Sequence, residues 1–230
     1  STFGRRDRQS NAPGGFDTAL WRSVVDAGLA APRDGLLIQD GIAGQLPLRV
    51  SGAGDTRTIA VRTPRARIVE TAGATDPRLH ASLSGLPLGE LPPVLMDGGR
   101  RWWLAELASE ADLRAVTPDW TAIGALAEAT GSMGLCAFAR SSGPDYHLAV
   151  RAFVGATGHF EDAASGAANA TLAAWLAARD ALPGDGGRYR ISQGREVGHD
   201  AIIELQVDAA GDVWSGGRVQ SVVHGTIDWR

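Results

Sequence analysis

Hydrophobic positions at helical spacing open the readable part of this chain. Ala19, Leu20, Val24 and Ala27 predict a helix over Thr18 to Gly28, with Asp17 at the N-cap and Gly28 as its stop. Before it, Ser1 to Gly15 is a polar lead-in with no periodicity. Short β-prone runs follow at Leu36 to Ile38, Leu46 to Val50, Thr56 to Val61 and Ala66 to Val69. The Gly- and Pro-rich stretch Ala72 to Leu91 reads as a crossing between two halves. Beyond it, Val94 to Met96 and Trp102 to Leu104 flank the turn residues Asp97-Gly98-Gly99, a hairpin signature. Helices are expected over Ser109 to Arg114 and Asp119 to Ala129. Strands are expected over Leu135 to Ala139, His147 to Phe153, Tyr189 to Ser192, Ala201 to Val207 and Arg218 to Ile227.

The pattern repeats. A helix leads to Ala30-Ala31-Pro32, a strand ending Ile38-Gln39-Asp40-Gly41, a short turn and the strand Leu48-Arg49-Val50. Later a helix leads to Ala181-Leu182-Pro183, a strand ending Ile191-Ser192-Gln193-Gly194, a short turn and the strand Leu205-Gln206-Val207. One helix feeding two strands, twice, predicts a pseudo-symmetric pair of α+β units with a ligand cleft between them. The expected division is 1–85 for a first, incomplete unit and 86–230 for a second, whose last strand returns to the first.

The second repeat helix breaks the amphipathic rule. From Ala163 to Leu176 nearly every residue is small or apolar on every face, so the helix is expected to be buried all round. Its start, Glu161-Asp162 followed by Ser165-Gly166, leaves accessible backbone N–H groups where the helix dipole favours an anion. The plainer alternative is that Glu161 and Asp162 only cap the helix.

Composition narrows the chemistry. The chain has 230 residues, 44% hydrophobic and 21% charged, an ordinary globular balance. No apolar run approaches the ~20 residues that a membrane-spanning helix needs, and no leader-like apolar segment follows the basic N-terminus. These features make a cytoplasmic protein the expectation. All 22 basic residues are arginine, so Schiff-base and phosphate-loop lysine chemistry is absent. A net charge of −4 argues against nucleic-acid partners. The single Cys136 excludes an internal disulfide and any two-thiol mechanism, and its apolar strand predicts a buried, inert thiol. His80, His147, His199 and His224 lack metal-ligand spacing, so no metal site is expected. Trp102 and Trp103 should face opposite sides of one strand, one in the core and the other over the cleft or a dimer contact. Arg65 and Arg67 share a strand face that either steers an anion or is simply solvated.

Several segments together resemble one family. Glu161-Asp162-Ala163-Ala164-Ser165-Gly166-Ala167-Ala168-Asn169 is similar to the Glu-Asp-Pro-x-Thr-Gly-Ser-Ala motif of the PhzF family of phenazine-biosynthesis isomerases. Arg151-Ala152-Phe153 resembles the Arg-x-Phe strand before that motif. Gln193-Gly194 through Gly198 resembles its Gln-Gly-x-x-x-Gly turn, and Gly216-Gly217-Arg218-Val219 resembles the opening of its last strand. Pro118-Asp119 and the helix after it also fit. The resemblance runs from about Ala19 to the C-terminus. It implies a diaminopimelate epimerase-like α+β fold, in which two units each wrap strands around a central helix and the helix N-termini meet at the cleft. It further implies a homodimer and a cofactor-independent isomerase acting on a small, amino-acid-derived carboxylate of bacterial secondary metabolism.

The departures from the family are specific. Its Ser-Glu-Thr motif, whose glutamate is the general acid/base, has no counterpart, so the chain reads as an N-terminally shortened member. The family's Gly-His-Ala-Thr start to the first central helix appears as Gly15-Phe16-Asp17-Thr18. The candidate proton carriers are therefore Asp162 first, then Asp17 and His159. The candidate substrate-binding residues are Gly15, Phe16, Thr18, Ser165, Gly166 and Ala167. Two other readings keep the same cleft: a cofactor-free cyclase and a non-catalytic binding protein.

Overall fold

Strand pairing, more than helix packing, organises this molecule. The computed structural model describes residues 15–41, 44–73, 76–83, 85–220 and 225, without the side chains of residues 15–17 and 41. Helix α1 (Gly15–Asp26) is followed by strands β1 (Leu36–Gly41), β2 (Gly44–Ser51), β3 (Thr58–Arg62) and β4 (Arg67–Thr71). Helix α2 (Pro77–Ser82) leads to β5 (Val94–Asp97) and β6 (Arg101–Glu106). Then come α3 (Glu110–Ala115), α4 (Trp120–Thr130), β7 (Gly134–Arg140), β8 (Leu148–Val154) and β9 (Phe160–Asp162). The chain continues through α5 (Gly166–Ala178), β10 (Arg188–Gln193), β11 (Ala201–Val207) and β12 (Val213–Arg218).

The strands form one 12-stranded mixed sheet in the order β1-β2-β3-β12-β11-β10-β8-β7-β6-β5-β4, with β9 paired to β8. The internal repeat is visible in that order. Helix α1 feeds β1, β2 and β3; helix α5 feeds β10, β11 and β12; each trio is antiparallel. The two trios join through β3 and β12, which pair antiparallel around Val61↔Ser215 and Ala60↔Gly216. Lying before residue 85, β4 nevertheless pairs with β5 rather than with β1–β3.

Burial follows from this layering. Around α5 the inward residues of β5, β6, β7, β8, β10 and β11 form the largest core, including Val94, Trp102, Cys136, Val150, Ile191 and Leu205. The opposite faces of β5 to β8 pack under α2, α3 and α4 through Leu95, Trp103, Leu135, Ala137 and Phe153. A third, small core of Leu46, Leu48, Ile59 and Val61 lies by α1. Period-2 alternation therefore sends Trp102 and Trp103 into two different cores. Both are buried, so neither tryptophan covers the cleft or an exposed contact, because helices cover both faces of the sheet there.

Four local expectations change. Helix α1 starts at Gly15, so Asp17 is its third residue rather than its cap. The crossing after Thr71 contains α2, started by Pro77 at N1 and capped by Asp76, whose carboxylate accepts from the Arg78 N–H. Phe160 to Asp162 adds the short strand β9, too brief to show a period. The last described strand is Val213–Arg218, not Arg218 to Ile227. Gly216 lies in the ladder opposite Ala60, where a Cβ would overlap the Ile59 carbonyl oxygen. Residues 221–224, 226 and 227 of the expected strand lie outside the described residues.

Candidate functional site

The site is built on the buried helix. Of the residues in α5, Ala168, Asn169, Leu172, Ala173, Trp175 and Leu176 are each fully buried, so the helix is fixed by packing all round. Ser165 is its N-cap, with Oγ accepting from the Ala168 N–H at 3.4 Å. The N–H groups of Gly166 and Ala167 have no acceptor among the described residues. They carry the positive end of a 13-residue helix dipole. Neither Glu161 nor Asp162 caps this helix, so the plain capping alternative does not describe it.

Asp162 ends β9 opposite Ala152 of β8, hence on the sheet face that Cys136 shares. It is half-buried, and its Oδ1 accepts from the Ala164 N–H at 3.1 Å. The loop from Asp162 to Ser165 is held from behind by Gln193, which is fully buried at the end of β10. Gln193 Nε2 donates to the Asp162 carbonyl at 2.6 Å, and Gln193 Oε1 accepts from the Ser165 N–H at 3.2 Å. Asn169 Nδ2 donates to the same Oε1 at 2.7 Å and to the Ser165 carbonyl at 2.8 Å. Gly194, at φ +87°, lies so near this loop that a Cβ would overlap the Ala163 carbonyl oxygen.

Glu161 has another task. Its carboxylate takes a bidentate pair from Arg151, Nε at 3.0 Å and Nη2 at 2.8 Å, with the two side chains only 3% and 5% exposed. Arg151 Nη1 turns the other way, donating to the Leu113 and Val116 carbonyls at the end of α3 at 3.2 and 2.6 Å. The Arg-x-Phe strand is thus a strut between α3 and the segment that presents Asp162. Beside it, Arg114 donates to Glu196 at 2.9 Å and to Glu110 at 3.1 Å. Burial alone would raise the Glu110 carboxyl; hydrogen bonds from Tyr146, Ser141 and Arg114 outweigh it and hold the group below its ordinary range.

The N-terminal ends of α1 and α5 open on one cleft of about 140 Å³ lined by Thr18, Ala164, Gly166, Ile203, Ser215 and Arg218, among others. Thr18 and Gly166 of the expected set therefore line one cleft. Ser165 and Ala167 flank Gly166, and Asp162 is one hydrogen bond from its lining. Gly15, Phe16 and Asp17 are in the first turn of α1, and their side chains lie outside the described residues. His159 is elsewhere. It is exposed, stacks on Trp120 with ring centroids 6.2 Å apart, and lines a wider opening of about 840 Å³ with Gly124, Glu128, Arg100 and Arg101. That opening is larger, but none of the residues that line it belongs to α1 or α5. Arg65 and Arg67 pair with Asp212 and Asp97 on the surface. Cys136 is fully buried, and burial pushes its thiol up to about 12. Among the described residues no group of His, Cys, Asp and Glu could hold a metal ion. No helix is long and apolar enough to cross a membrane.

The pair Gln193–Asn169 escaped the functional reading of the sequence. Only Asn169 carried a signal, an amide inside an otherwise apolar helix that needs a partner once buried; Gln193 ends a strand rich in polar residues.

Comparison with known proteins bears on the family and the fold. The chain is 24% identical over 212 residues to antisense-enhancing sequence 1 of Schizosaccharomyces pombe, covering 88% of this chain and 70% of that protein. It is 33% identical over 140 residues to the uncharacterised isomerase YddE of Escherichia coli K12, covering 60% of this chain and 46% of YddE. The chain thus spans less than half of the second relative. Among solved structures, a predicted epimerase from Pseudomonas aeruginosa superposes with a TM-score of 0.71 at 19% identity, covering 91% of this chain and 72% of the other. The fold is accordingly α+β and epimerase-like. The model of the phenazine biosynthesis-like proteins matches residues 19–224, and the chain belongs to that family, PhzC–PhzF.

Proposed function

We propose that this chain is an isomerase that shifts a proton, and with it a double bond, in a small conjugated carboxylate derived from an amino acid. The observation that carries the reading is the cleft where α1 and α5 begin, with the free N–H groups of Gly166 and Ala167 beside the half-buried Asp162. The names isomerase and epimerase borne by YddE and by the Pseudomonas aeruginosa protein point the same way. The family, its name taken from phenazine biosynthesis, makes bacterial secondary metabolism the setting we propose.

In this proposal the N-terminus of α5 takes the substrate carboxylate and, as the proton leaves carbon, the negative charge of the dienolate. Fixed dipoles aimed at developing charge stabilise it without reorganising. The Asp162 carboxyl removes the proton from one carbon and returns it to another. Asp17, in the first turn of α1, is the second carboxyl we assign to the exchange. No step calls for a cofactor or a metal. His159 has no part in the mechanism, because it opens on a different pocket. We further propose division into units at residues 1–85 and 86–230 and assembly as a homodimer.

The test uses a panel of cyclic dienyl amino acids and related conjugated acids in deuterated water, followed by proton NMR. Turnover with deuterium placed on carbon is expected; conversion without exchange would instead mean a cyclase, and neither outcome a binding protein. Asp162→Asn keeps the shape but not the transferable proton, so turnover should fall about 10²–10⁴-fold with little change in stability. Full turnover in that variant would refute the assignment of Asp162.

A further inference from the structure

We propose that Gln193 is the positioning residue of the cleft: one buried side-chain amide sets the spacing between Asp162 and the N–H groups that open α5. The inference rests on reading the cleft as a carboxylate site and adds to it the part that holds the site in shape.

The loop between β9 and α5 contains only Ala163, Ala164 and Ser165. Both of its ends are bound by the same three-atom group. Gln193 Nε2 donates to the Asp162 carbonyl at 2.6 Å, and Gln193 Oε1 accepts from the Ser165 N–H at 3.2 Å. A planar amide has a fixed separation between its nitrogen and its oxygen. The distance from the Asp162 backbone to the first turn of α5 is therefore set by covalent geometry, not by loop conformation.

The amide itself has little freedom. Gln193 is 0% exposed, and Asn169 Nδ2 donates to its oxygen at 2.7 Å, which fixes which end is oxygen and which is nitrogen. Asn169 Nδ2 also bonds the Ser165 carbonyl at 2.8 Å, so the helix being positioned in turn orients the clamp. β10 anchors the other end through its parallel pairing with β8, where Gln193 lies opposite Val150. β8 also pairs with β9 at Ala152↔Asp162, two residues along. Asp162 is thus tied to one strand, β8, by two routes: directly through the ladder and indirectly through Gln193. Gly194 completes the arrangement, since its bare Cα lets the turn after β10 approach Ala163.

Gln193 does not line the cleft and has all its polar atoms engaged, so it acts through the loop and touches no ligand. Its effect should appear as lost precision at Gly166 and Ala167. A supporting group that lets a site relax by about 1 Å forfeits much of its binding and rate.

The experiment titrates the full chain with benzoate, a rigid conjugated carboxylate, and follows the amide resonances of Gly166 and Ala167 in ¹⁵N-labelled protein. Saturable shifts at both are expected in the unmodified protein. Gln193→Met keeps length and burial but removes all three hydrogen bonds. It should weaken benzoate at least about 10-fold in the folded protein and move the Ser165 amide resonance toward that of a free N–H. If that variant does not fold, Asn169→Ala, which removes the donor shared by the clamp and the Ser165 carbonyl but leaves both bonds from Gln193 to the loop, should weaken benzoate about threefold. A merely structural role would lower the melting temperature and leave the benzoate affinity of the folded protein unchanged; that result overturns the proposal. Absence of shifts at Gly166 and Ala167 in the unmodified protein would instead overturn the carboxylate reading of the cleft, and this inference with it.

Discussion

Removing the Glu161 carboxylate should destabilise the protein strongly. Arg151 is 5% exposed and Glu161 3%, so neither charge has water to fall back on. Glu161→Leu leaves the guanidinium with its two bonds to the Leu113 and Val116 carbonyls and with Glu196, whose Oε2 lies 3.9 Å from Arg151 Nε. An uncompensated buried charge costs about 3–5 kcal/mol, and the residual Glu196 attraction places the expected loss at the lower end, about 3 kcal/mol. At roughly 2–4 °C per kcal/mol for a chain of this size, the melting temperature should fall by about 6–12 °C. Arg151→Met should cost at least as much, because the end of α3 then loses two bonds worth about 1 kcal/mol each.

The double variant separates pairing from packing. Arg151→Met with Glu161→Leu removes both charges together, so its cost should fall short of the sum of the single costs by about 2–3 kcal/mol. Urea unfolding followed by tryptophan fluorescence measures all three variants. Adding salt to about 1 M should leave the coupling nearly intact, since a buried pair is poorly screened. Additive single costs, or a Glu161→Leu variant within about 1 kcal/mol of the parent, would show that the charges are not dependent on each other and would refute this account of the strut.

Three further outcomes are expected. Ala173→Leu should destabilise by about 1–3 kcal/mol in thermal unfolding because Ala173 is fully buried in the largest core, whereas Ala174→Leu, at a half-buried position, should cost clearly less. Cys136 should stay unmodified by a disulfide reagent at about pH 8 until the protein unfolds, since burial raises its thiol to about 12 and hides it; rapid labelling of native protein would contradict the packing. Hydrogen bonding to Arg78 holds the Asp76 carboxyl below its ordinary 3.8, so its contribution is present above that value and fades as pH falls through the lower folded one. The gap in melting temperature between parent and Asp76→Asn should accordingly be widest near neutral pH and narrow as the pH falls below 3.8, and a constant gap would contradict the sign.

Much of this architecture was legible because each level of the sequence agreed with the next. The apolar run from Ala163 to Leu176 meant a helix buried all round, and α5 is that helix. The matching helix–strand–strand spacings meant a repeat, and the β1-β2-β3 and β12-β11-β10 trios, which adjoin in the sheet order, follow the two helices in the same way. The misses have physical causes. The last strand is expected from Arg218 onward, but it ends there: the bare backbone of Gly216-Gly217 suits a ladder where two strands crowd, and the crowding by β3 is a tertiary fact. Glu161 and Asp162 look alike as neighbours at a helix start. Only the pleat of β9 sends one to Arg151 and the other to the face shared with Ala152. His159 is close to Asp162 in sequence, yet the turn before β9 carries it to Trp120.

The two walls of the cleft are unequal, and the inequality bears on how it would work. On one side, α5 is fixed by packing on every face, and Asp162 is tied to it by Gln193 and to α3 through the Glu161–Arg151 pair. On the other side, α1 rests beside a core whose buried members among the described residues are Leu46, Leu48, Ile59 and Val61. At about 1.5–3 kcal/mol per buried aliphatic side chain, that core contributes roughly 6–12 kcal/mol before the entropy of ordering is subtracted. Leu20 and Leu29, in and just beyond α1, are 58% and 65% exposed. What fastens α1 is directional: Arg22 donates to the Val219 carbonyl at 2.9 Å, and Asp26 bridges Arg22 and Arg57. Proton transfer between carbons demands fixed geometry at the proton carrier and tolerates movement where the substrate only has to be covered. The closely packed wall bears Asp162 and the free N–H groups, and the less packed wall bears Asp17, the second carboxyl of the proposed exchange. The chemistry assigned to Asp162 therefore sits where packing holds it, whereas the place of Asp17 depends on the few directional contacts that Arg22 and Asp26 make for α1.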